Sequence, residues 1–524
     1  MYRKINLRFT SLLILVVLLF SISCNQLRPN NTITILAGSE LKDLEPLLDD
    51  IEKETGLQLQ FEYIGTLDGT EQLLNGTEYD FGWFSHAGYL SLLQGERGVA
   101  ITQEKIMLSP VVLGVKEGKA EAFGWVDNPH VSWQDIAEKA RNGELNYAMT
   151  NPTSSNSGFT ALIGVASALS GSSDALQAEK IDLEMMQGFF KGQTLTAGSS
   201  GWLTDSYVQS QHELDGMINY ESILLGLNEN SRLQEKLVLI YPQEGIVTAD
   251  YPLMLLNEDK REEYNTLITF LRSPAFQEKL MRTTLRRPAV PGVALDDRIP
   301  DTLLIELPFP STVDVIDSLL FSYLDEQRQP PHAYFVLDVS GSMKGEGLNE
   351  LQMAMNNLTG VDETLTGRFS RFRSREHVTV LTFSDTIQSI NEFVIDDINP
   401  QGEDMQQIRT FIDGLYPYGY TAIYASLAEA YRQVQIDQQA DPDRYYTIVL
   451  MSDGANTHGI NAQKFANFYH ALPDQVQQVR TFPVVFGEAD EVAMQEIATI
   501  TGGRLFDSRE ESLGFIFKQI RGYQ

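Results

Sequence analysis

Three oxygen-bearing side chains, spaced two residues apart, follow a run of strand-forming residues in the second half of the chain. The run Tyr334–Leu337 is apolar, as expected of a strand buried on both faces. It ends in Asp338, Ser340 and Ser342. Because alternate residues of an extended backbone point to the same side, these three side chains are expected to converge on one spot. One carboxylate with converging hydroxyl oxygens suits Mg²⁺ or Mn²⁺ better than Zn²⁺.

Two later stretches supply further oxygen ligands. Thr421 stands at a predicted loop-to-helix entry, and Asp453 ends a second buried-strand pattern, Tyr446–Ser452. These residues are therefore expected at the C-terminal ends of strands, where open α/β sheets bind ligands. An isolated Asp-x-Ser-x-Ser pattern more often caps a turn, so the metal-site interpretation depends on the two later stretches.

In chain order, the five side chains resemble the metal-ion-dependent adhesion site of von Willebrand factor A domains: Asp338, Ser340, Ser342, Thr421 and Asp453. The resemblance covers roughly residues 332 to 524. It implies that the two serines bind the cation directly, that the threonine joins in one state, and that the aspartates act directly or through water. A vacant coordination position would accept an acidic side chain of a protein partner.

The elements between these residues must form one sheet. Strand patterns at His377–Phe383, Tyr445–Met451 and Thr481–Phe486 alternate with helical patterns such as Thr421–Gln435. This order predicts a doubly wound, Rossmann-like parallel sheet. Four nearby arginines predict a solvated turn of helix, with a docking site for a partner as the alternative: Arg368, Arg371, Arg373 and Arg375.

Length, charge and composition exclude several classes of function. A chain of 524 residues predicts two to four domains. Its 71 acidic and 39 basic residues give a net charge of −32, which disfavours nucleic acid and anionic membrane surfaces as partners. The seven histidines lack zinc-hydrolase spacing, and neither a phosphate loop nor a GxSxG elbow is present, so we expect no catalysis.

The N-terminus has the pattern of an export signal. Basic residues precede a short apolar run at 12–20, and small residues lead to Cys24, the only cysteine. The segment 1–24 resembles a bacterial lipoprotein signal, although Ser21 stands where leucine is usual. We expect lipidation of Cys24 and membrane anchoring outside the cytoplasm; plain secretion and an uncleaved anchor are the alternatives.

The first half of the chain alternates strands and helices. Strand patterns at 32–37, 57–64 and 79–85, with an amphipathic helix at 41–55, predict a parallel sheet. Further on, a hydroxyl-rich stretch at 150–158 leads into a helix. Backbone N–H groups and hydroxyls at a helix N-terminus favour an anion, but capping of the helix alone is an alternative.

Residues 25–295 resemble periplasmic solute-binding proteins of the molybdate/sulfate-like type. The resemblance implies an α/β fold of two lobes joined by crossing strands, with a small solute in the cleft. The family's binding positions correspond to Ser39, Ser85, Ser155, Asn156 and Tyr220. No arginine or lysine falls in those loops, so backbone and hydroxyl donors would hold an oxyanion.

Residues 296–331 join the two parts. Prolines flank a helical run at Val313–Glu326, which predicts a linker or a docking helix. Together, the patterns indicate an extracytoplasmic binding protein that couples a solute-binding module to a metal-dependent protein-interaction module. The alternatives are the solute-binding component of an importer and, less favoured, an enzyme or a chelatase-like accessory subunit.

Overall fold

The computed structural model describes residues 31–524, apart from residues 77, 96–97 and 172–173. The predicted signal segment 1–24, with Cys24, lies outside the described residues. Among the described helices, none has both the length and the apolar character needed to cross a bilayer. Three sheets with helices packed against them confirm the predicted α/β class. We call the part built on the first two sheets the front module and the part built on the third the rear module.

The first lobe of the front module is built on a mixed five-stranded sheet. In spatial order its strands are Gln58–Ile64, Thr32–Gly38, Phe81–Trp83, Pro252–Leu255 and Thr102–Lys105. The first three run parallel, as predicted. The helix predicted at 41–55 begins instead as a 3₁₀ helix, Ser39–Leu47, and becomes an α-helix only at Leu48–Thr55. Pro46 lies in the 3₁₀ segment and has no N–H to donate to an α-helical bond.

The second lobe is organised around one long strand, Met107–Lys116. The other strands of this sheet are Gly216–Tyr220, Tyr147–Thr150, Gln193–Ala197, Leu237–Ile240, Thr248–Ala249 and Arg287–Pro288. The chain passes between the lobes where Thr102–Lys105 leads into Met107–Lys116, and returns where Thr248–Ala249 leads into Pro252–Leu255. The predicted joining of two lobes by crossing strands is therefore present.

The rear module contains a six-stranded sheet. In spatial order the strands are Ile387–Val394, His377–Phe383, Pro331–Asp338, Tyr445–Ser452, Arg480–Val485 and Phe506–Asp507. All neighbouring pairs are parallel except the edge strand Ile387–Val394. Because both faces of the central strands are covered, Pro331–Asp338 is buried along its whole length.

Helices cover the faces of all three sheets. Those of the front module are Leu48–Thr55, Thr66–Leu74, Gly88–Gln94, Glu117–Phe123, Trp133–Arg141, Asn156–Leu169, Leu183–Lys191, Ser200–Gln209, Glu221–Glu229, Arg261–Leu271 and Pro274–Thr284. Those of the rear module are Glu346–Asn356, Gly367–Ser370, Glu403–Asp413, Ile423–Ala440, Ala462–Tyr469, Asp474–Gln477, Glu491–Ile500 and Leu513–Arg521.

A joining helix, Val313–Ser322, continues as a π-helical turn to Gln327 and packs between the modules. Its Asp317 accepts hydrogen bonds from Tyr89 of the front module, at 3.0 Å, and from Arg368 of the rear module, at 3.1 Å. The prediction that the arginine cluster forms a solvated face was wrong: Arg373 is buried, and its Nε donates to Asp325 at 2.8 Å. The joining helix and its π-helical turn supply acidic partners to two of the four arginines, Arg368 and Arg373.

Candidate functional site

Three loops meet at the C-terminal edge of the rear sheet. Direct backbone hydrogen bonds tie them together: Tyr418 N–H to the Val339 carbonyl at 2.8 Å, and Gly341 N–H to the Gly419 carbonyl at 3.1 Å. The third loop is tied in by Thr457 N–H, which donates to the Thr421 carbonyl at 2.8 Å. We call this region the metal edge, because the five side chains predicted to bind a cation stand on these loops.

Four of the predicted ligands form one chain of hydrogen bonds. Asp338 Oδ1 accepts the Ser340 N–H at 2.7 Å. The Ser340 and Ser342 hydroxyl oxygens lie 3.0 Å apart, and the Ser342 hydroxyl donates to Asp453 Oδ1 at 2.7 Å. The two aspartates, which are far apart in sequence, therefore face the same pair of serines.

Thr421, the fifth predicted ligand, lies close to the backbone at Gly454. A Cβ at Gly454 would lie 3.6 Å from Thr421 Oγ1 and 3.7 Å from Ser342 Oγ. Both hydroxyls therefore approach the backbone beside Asp453. One further participant, Ser452, was not predicted from the sequence: its hydroxyl donates to Asp338 Oδ2 at 2.5 Å. Its place directly before Asp453, at the end of a strand, was a signal that could have identified it.

Both carboxylates of the metal edge have a raised pKa. Asp338 is fully buried, and this burial raises its pKa to about 6, against the hydrogen bonds from Ser452 and Ser340. Burial also raises the pKa of Asp453. Ser342, by contrast, is exposed. Buried carboxylates beside hydroxyl oxygens, with one side open to solvent, fit a hard dication such as Mg²⁺ or Mn²⁺.

Exposed aromatic side chains lie on the loop that leads to Thr421. The exposed fractions of Tyr416, Tyr418 and Tyr420 are 72%, 46% and 68%. The Tyr420 ring stacks on His458, with 6.4 Å between ring centroids. Exposed tyrosines are common where protein surfaces bind one another.

The predicted solute site falls into two parts. Ser39, Ser155 and Asn156 line a cavity of about 860 Å³ that reaches from the interlobe cleft to the rear module. Ser85 and Tyr220 are buried and are not among the residues that line this cavity. Burial raises the pKa of Tyr220.

The two lobes touch across the cleft. Asn156 Nδ2 of the second lobe donates to Glu40 Oε1 of the first at 2.8 Å. A Cβ on Gly65 would lie only 2.5 Å from the Ser154 carbonyl oxygen, so the lobes approach as closely as a glycine allows. The cleft is therefore closed.

Two charged residues of the cleft region were missed from the sequence. The Glu40 carboxylate is buried, and this burial raises its pKa, against the effect of Asn156. Arg286 is also buried; it pairs with Asp43 at 2.6 Å and donates to the Glu40 carbonyl at 3.0 Å. Arg286 lies over the ring of Tyr251, at 4.7 Å. Neither charged residue belongs to the hydroxyl-rich loops that drew attention in the sequence.

Several polar atoms in this region are buried without a hydrogen-bond partner among the described residues. They belong to both lobes and to the crossing segments: Ser85 Oγ, Asn156 Oδ1, Tyr220 Oη, Tyr251 Oη and Arg286 Nε. Buried polar atoms are rarely left unpaired, because the loss of hydration is not offset. Such a group of unpaired donors and acceptors is typical of a binding site for a polar ligand.

The rear module covers the mouth of the cleft. Its last helix, Leu513–Arg521, and the residues after it contact the second lobe: Asn151 Nδ2 donates to the Arg521 carbonyl at 3.4 Å, and the Tyr523 ring packs edge-on against Trp202 at 4.8 Å. The first lobe is held by Glu71, whose Oε2 accepts the Thr366 hydroxyl at 2.6 Å. One module thus bridges both lobes.

Two family models match the chain. Residues 33–284 match the bacterial extracellular solute-binding protein family, and residues 333–519 match the von Willebrand factor type A domain. No curated protein matches the chain.

Among solved structures, the periplasmic binding protein AfuA from Actinobacillus pleuropneumoniae, bound to fructose-6-phosphate, is 13% identical with a TM-score of 0.46. That match covers 56% of this chain and 98% of AfuA. A ferric binding protein from Campylobacter jejuni (13%, TM-score 0.43) covers 55% of this chain and is itself covered to 96%. The sulfate-binding protein SubI from Mycobacterium tuberculosis H37Rv (18%, TM-score 0.41) gives the same two coverages. These likenesses identify no ligand for this chain.

Proposed function

Because the chain joins a bacterial extracellular solute-binding domain to a von Willebrand factor type A domain, we propose that it is a non-enzymatic, extracytoplasmic binding protein. In this proposal the metal edge binds a protein partner, and the interlobe cleft binds a small solute. The observation that carries the proposal is the meeting of the five predicted oxygen ligands at one edge of the rear sheet.

At the metal edge, Asp338, Ser340, Ser342, Thr421 and Asp453 would hold Mg²⁺ or Mn²⁺. A bound cation would offer an open coordination position to an acidic side chain of the partner. The residues of this chain do the rest: the buried aspartates fix the two serines through hydrogen bonds, and Ser342 leaves the site open to solvent. The exposed tyrosines would contact the partner surface around its acidic residue.

In the cleft, the five residues predicted from the sequence would hold a small anionic solute: Ser39, Ser85, Ser155, Asn156 and Tyr220. Glu40 opposes an anion when it is ionised, but its raised pKa favours the uncharged form, which opposes less. Solute binding is therefore expected to strengthen as the pH falls. Binding that weakened on acidification would instead favour a cationic solute held by the Glu40 carboxylate.

The N-terminal lipid belongs to the same proposal. Lipidation of Cys24 would hold both modules at a membrane surface, facing the extracytoplasmic space. Conversion of Cys24→Ser should move the chain from the membrane fraction to the soluble fraction. A chain that stayed in the membrane fraction would indicate another means of attachment.

The metal edge is tested by recovering partners from cell-envelope extracts with and without a chelator. We expect a partner that the wild-type chain retains in Mg²⁺ and loses in chelator, and that Asp338→Ala loses in both. Gly201→Ala is the matched control, because the added methyl group meets nothing within 4 Å. Recovery of the same partner by Asp338→Ala, or in chelator, would contradict the proposal.

A second candidate function is the delivery of a solute to an importer. The unpaired polar atoms of the cleft favour it, since a cleft without a ligand role would not need them. Solute binding that is lost in the Ser39→Ala, Ser155→Ala double variant would support it. Absence of binding to sulfate, phosphate and sugar phosphates would favour a cleft that serves only as a scaffold.

A further inference from the structure

A second group of metal-ligating side chains lies at the opposite edge of the rear sheet. His332 and His377 are register partners on neighbouring parallel strands, and Glu392 lies opposite Thr379 on the next strand. One ring nitrogen of each histidine and one Glu392 carboxylate oxygen all lie within 4.8 Å of one another. Six residues of extended strand separate His332 from Asp338, so this group is about 20 Å from the metal edge.

The two histidines are held in different ways. His332 is buried, its ring stacks on Tyr334 with 4.6 Å between centroids, and its Nε2 lies 2.8 Å from the Thr379 hydroxyl. His377 is partly exposed, and its Nδ1 lies 2.8 Å from Glu392 Oε1. The group therefore has a rigid inner side and an outer side open to solvent.

We propose that His332, His377 and Glu392 form a second cation site, which takes a transition-metal dication of the Zn²⁺ class. Zinc bonds of about 2.0–2.2 Å to nitrogen and oxygen require ligand atoms about 3.4 Å apart in a tetrahedron. The present spread is wider, and the two outward side chains, His377 and Glu392, would have to move toward the buried His332 to close it. The Thr379 hydroxyl or a water completes the coordination.

Ligand chemistry separates this site from the metal edge. Imidazole nitrogen suits Zn²⁺, Cu²⁺ or Ni²⁺, whereas hydroxyl and carboxylate oxygens suit Mg²⁺ and Mn²⁺. One positive charge opposes the site: Arg444 lies close enough to His332 to affect its pKa. Its guanidinium pairs with Asp441 at 2.7 Å, which offsets part of that charge.

The test is a Zn²⁺ titration of the untagged, metal-stripped full-length chain in excess Mg²⁺, followed by calorimetry. We expect one Zn²⁺ per chain, and at least a tenfold loss of affinity in His377→Gln and in Glu392→Gln, since each removes one of three ligands (about 1.4 kcal/mol or more). Asp338→Ala should bind Zn²⁺ as the wild type does. Replacement of the exposed His130→Gln is the control for adventitious histidine binding.

His377 and Glu392 are chosen because both are partly exposed, so their replacement is expected to leave the fold intact. A second measurement uses Zn²⁺-dependent thermal stabilisation, which should be present in the wild type and absent from both variants. Equal Zn²⁺ affinity in the wild type and His377→Gln, or no stoichiometric binding to the wild type, would overturn the proposal. Loss of binding only in Asp338→Ala would assign the zinc to the metal edge instead.

Discussion

The metal edge and the interlobe cleft are both built from strand-end loops, yet one is open and the other is covered. Ser342 and three tyrosines of the metal edge face solvent. In the cleft, Ser85 and Asn156 are buried, and the rear module lies across the mouth. A partner can therefore reach the first site without any movement, whereas the rear module stands over part of the second.

The cover over the cleft is fixed by a buried ion cluster. Glu376 accepts hydrogen bonds from Arg328 and from Arg521, and all three side chains are almost fully buried. Arg521 also donates to the carbonyl of Ser370 at 2.9 Å. These buried contacts attach the last helix to its own module, so we expect the cover to move together with the rear module.

The largest effect is expected from Glu376→Gln. The substitution leaves two buried guanidinium groups without a carboxylate, so the free energy of unfolding should fall by about 3–5 kcal/mol. Chemical denaturation measures the fall, with the exposed Glu496→Gln as the control. An unchanged free energy of unfolding would show that the cluster does not fix the cover.

The next effect comes from Gly522→Val. A Cβ at this position would lie 2.6 Å from Ser154 Oγ of the second lobe, so the larger side chain must push the cover away, at a cost of about 1–3 kcal/mol. Hydrogen exchange should quicken across residues 150–158 and stay unchanged at the metal edge. Gly201→Ala serves as the control, and faster exchange at both sites would contradict the separation drawn between them.

Glu40→Gln should stabilise the chain near neutral pH by about 1–2 kcal/mol. Burial raises the pKa of Glu40, so its contribution to stability is present below its usual pKa of 4.5 and is lost as the pH rises. Glutamine keeps an acceptor for Asn156 and carries no charge. Melting temperatures from pH 4 to pH 8 should therefore decline more steeply in the wild type than in the variant; parallel curves would contradict this account.

The smallest effect is expected from Asp68→Asn, where the first lobe faces the rear module. Burial raises the pKa of Asp68 to about 6, against Thr366 and Lys518. Its stabilising contribution is present below pH 3.8 and is lost as the pH rises through about 6. Because Asp68 is partly exposed, the variant should gain at most about 1 kcal/mol at pH 7.5. A gain that persisted at pH 4 would point to a cause other than charge.

The two sites also differ in how far the sequence could predict them. The metal edge follows mainly from local patterns, because Asp338 and Asp453 stand where their own strands end. Contrary to expectation, Thr421 does not follow a strand but lies on a loop between two helices, and its part in the site was inferred from the family resemblance. The cleft could not be completed in this way. Glu40 and Arg286 come together only through packing between distant segments, and Arg286 follows a helix with no pattern that points to a site.

The arginine cluster shows the same limit. Its spacing alone predicted a solvated helix face, whereas Asp317 and Asp325, about 50 residues earlier, bind Arg368 and Arg373. A charge run shows that partners are needed, but it does not show which part of the chain supplies them. The covering of the cleft by Leu513–Arg521 was not predicted for the same reason.

Asp317 has a consequence for how the two modules part. Its two carboxylate oxygens connect the modules, because one accepts a hydrogen bond from Tyr89 and the other accepts one from Arg368. A swing of the rear module away from the front module would break one of these two hydrogen bonds, because the joining helix cannot follow both modules at once. We therefore expect the cleft to open in a two-state transition between a closed and an open conformation, and not by gradual widening.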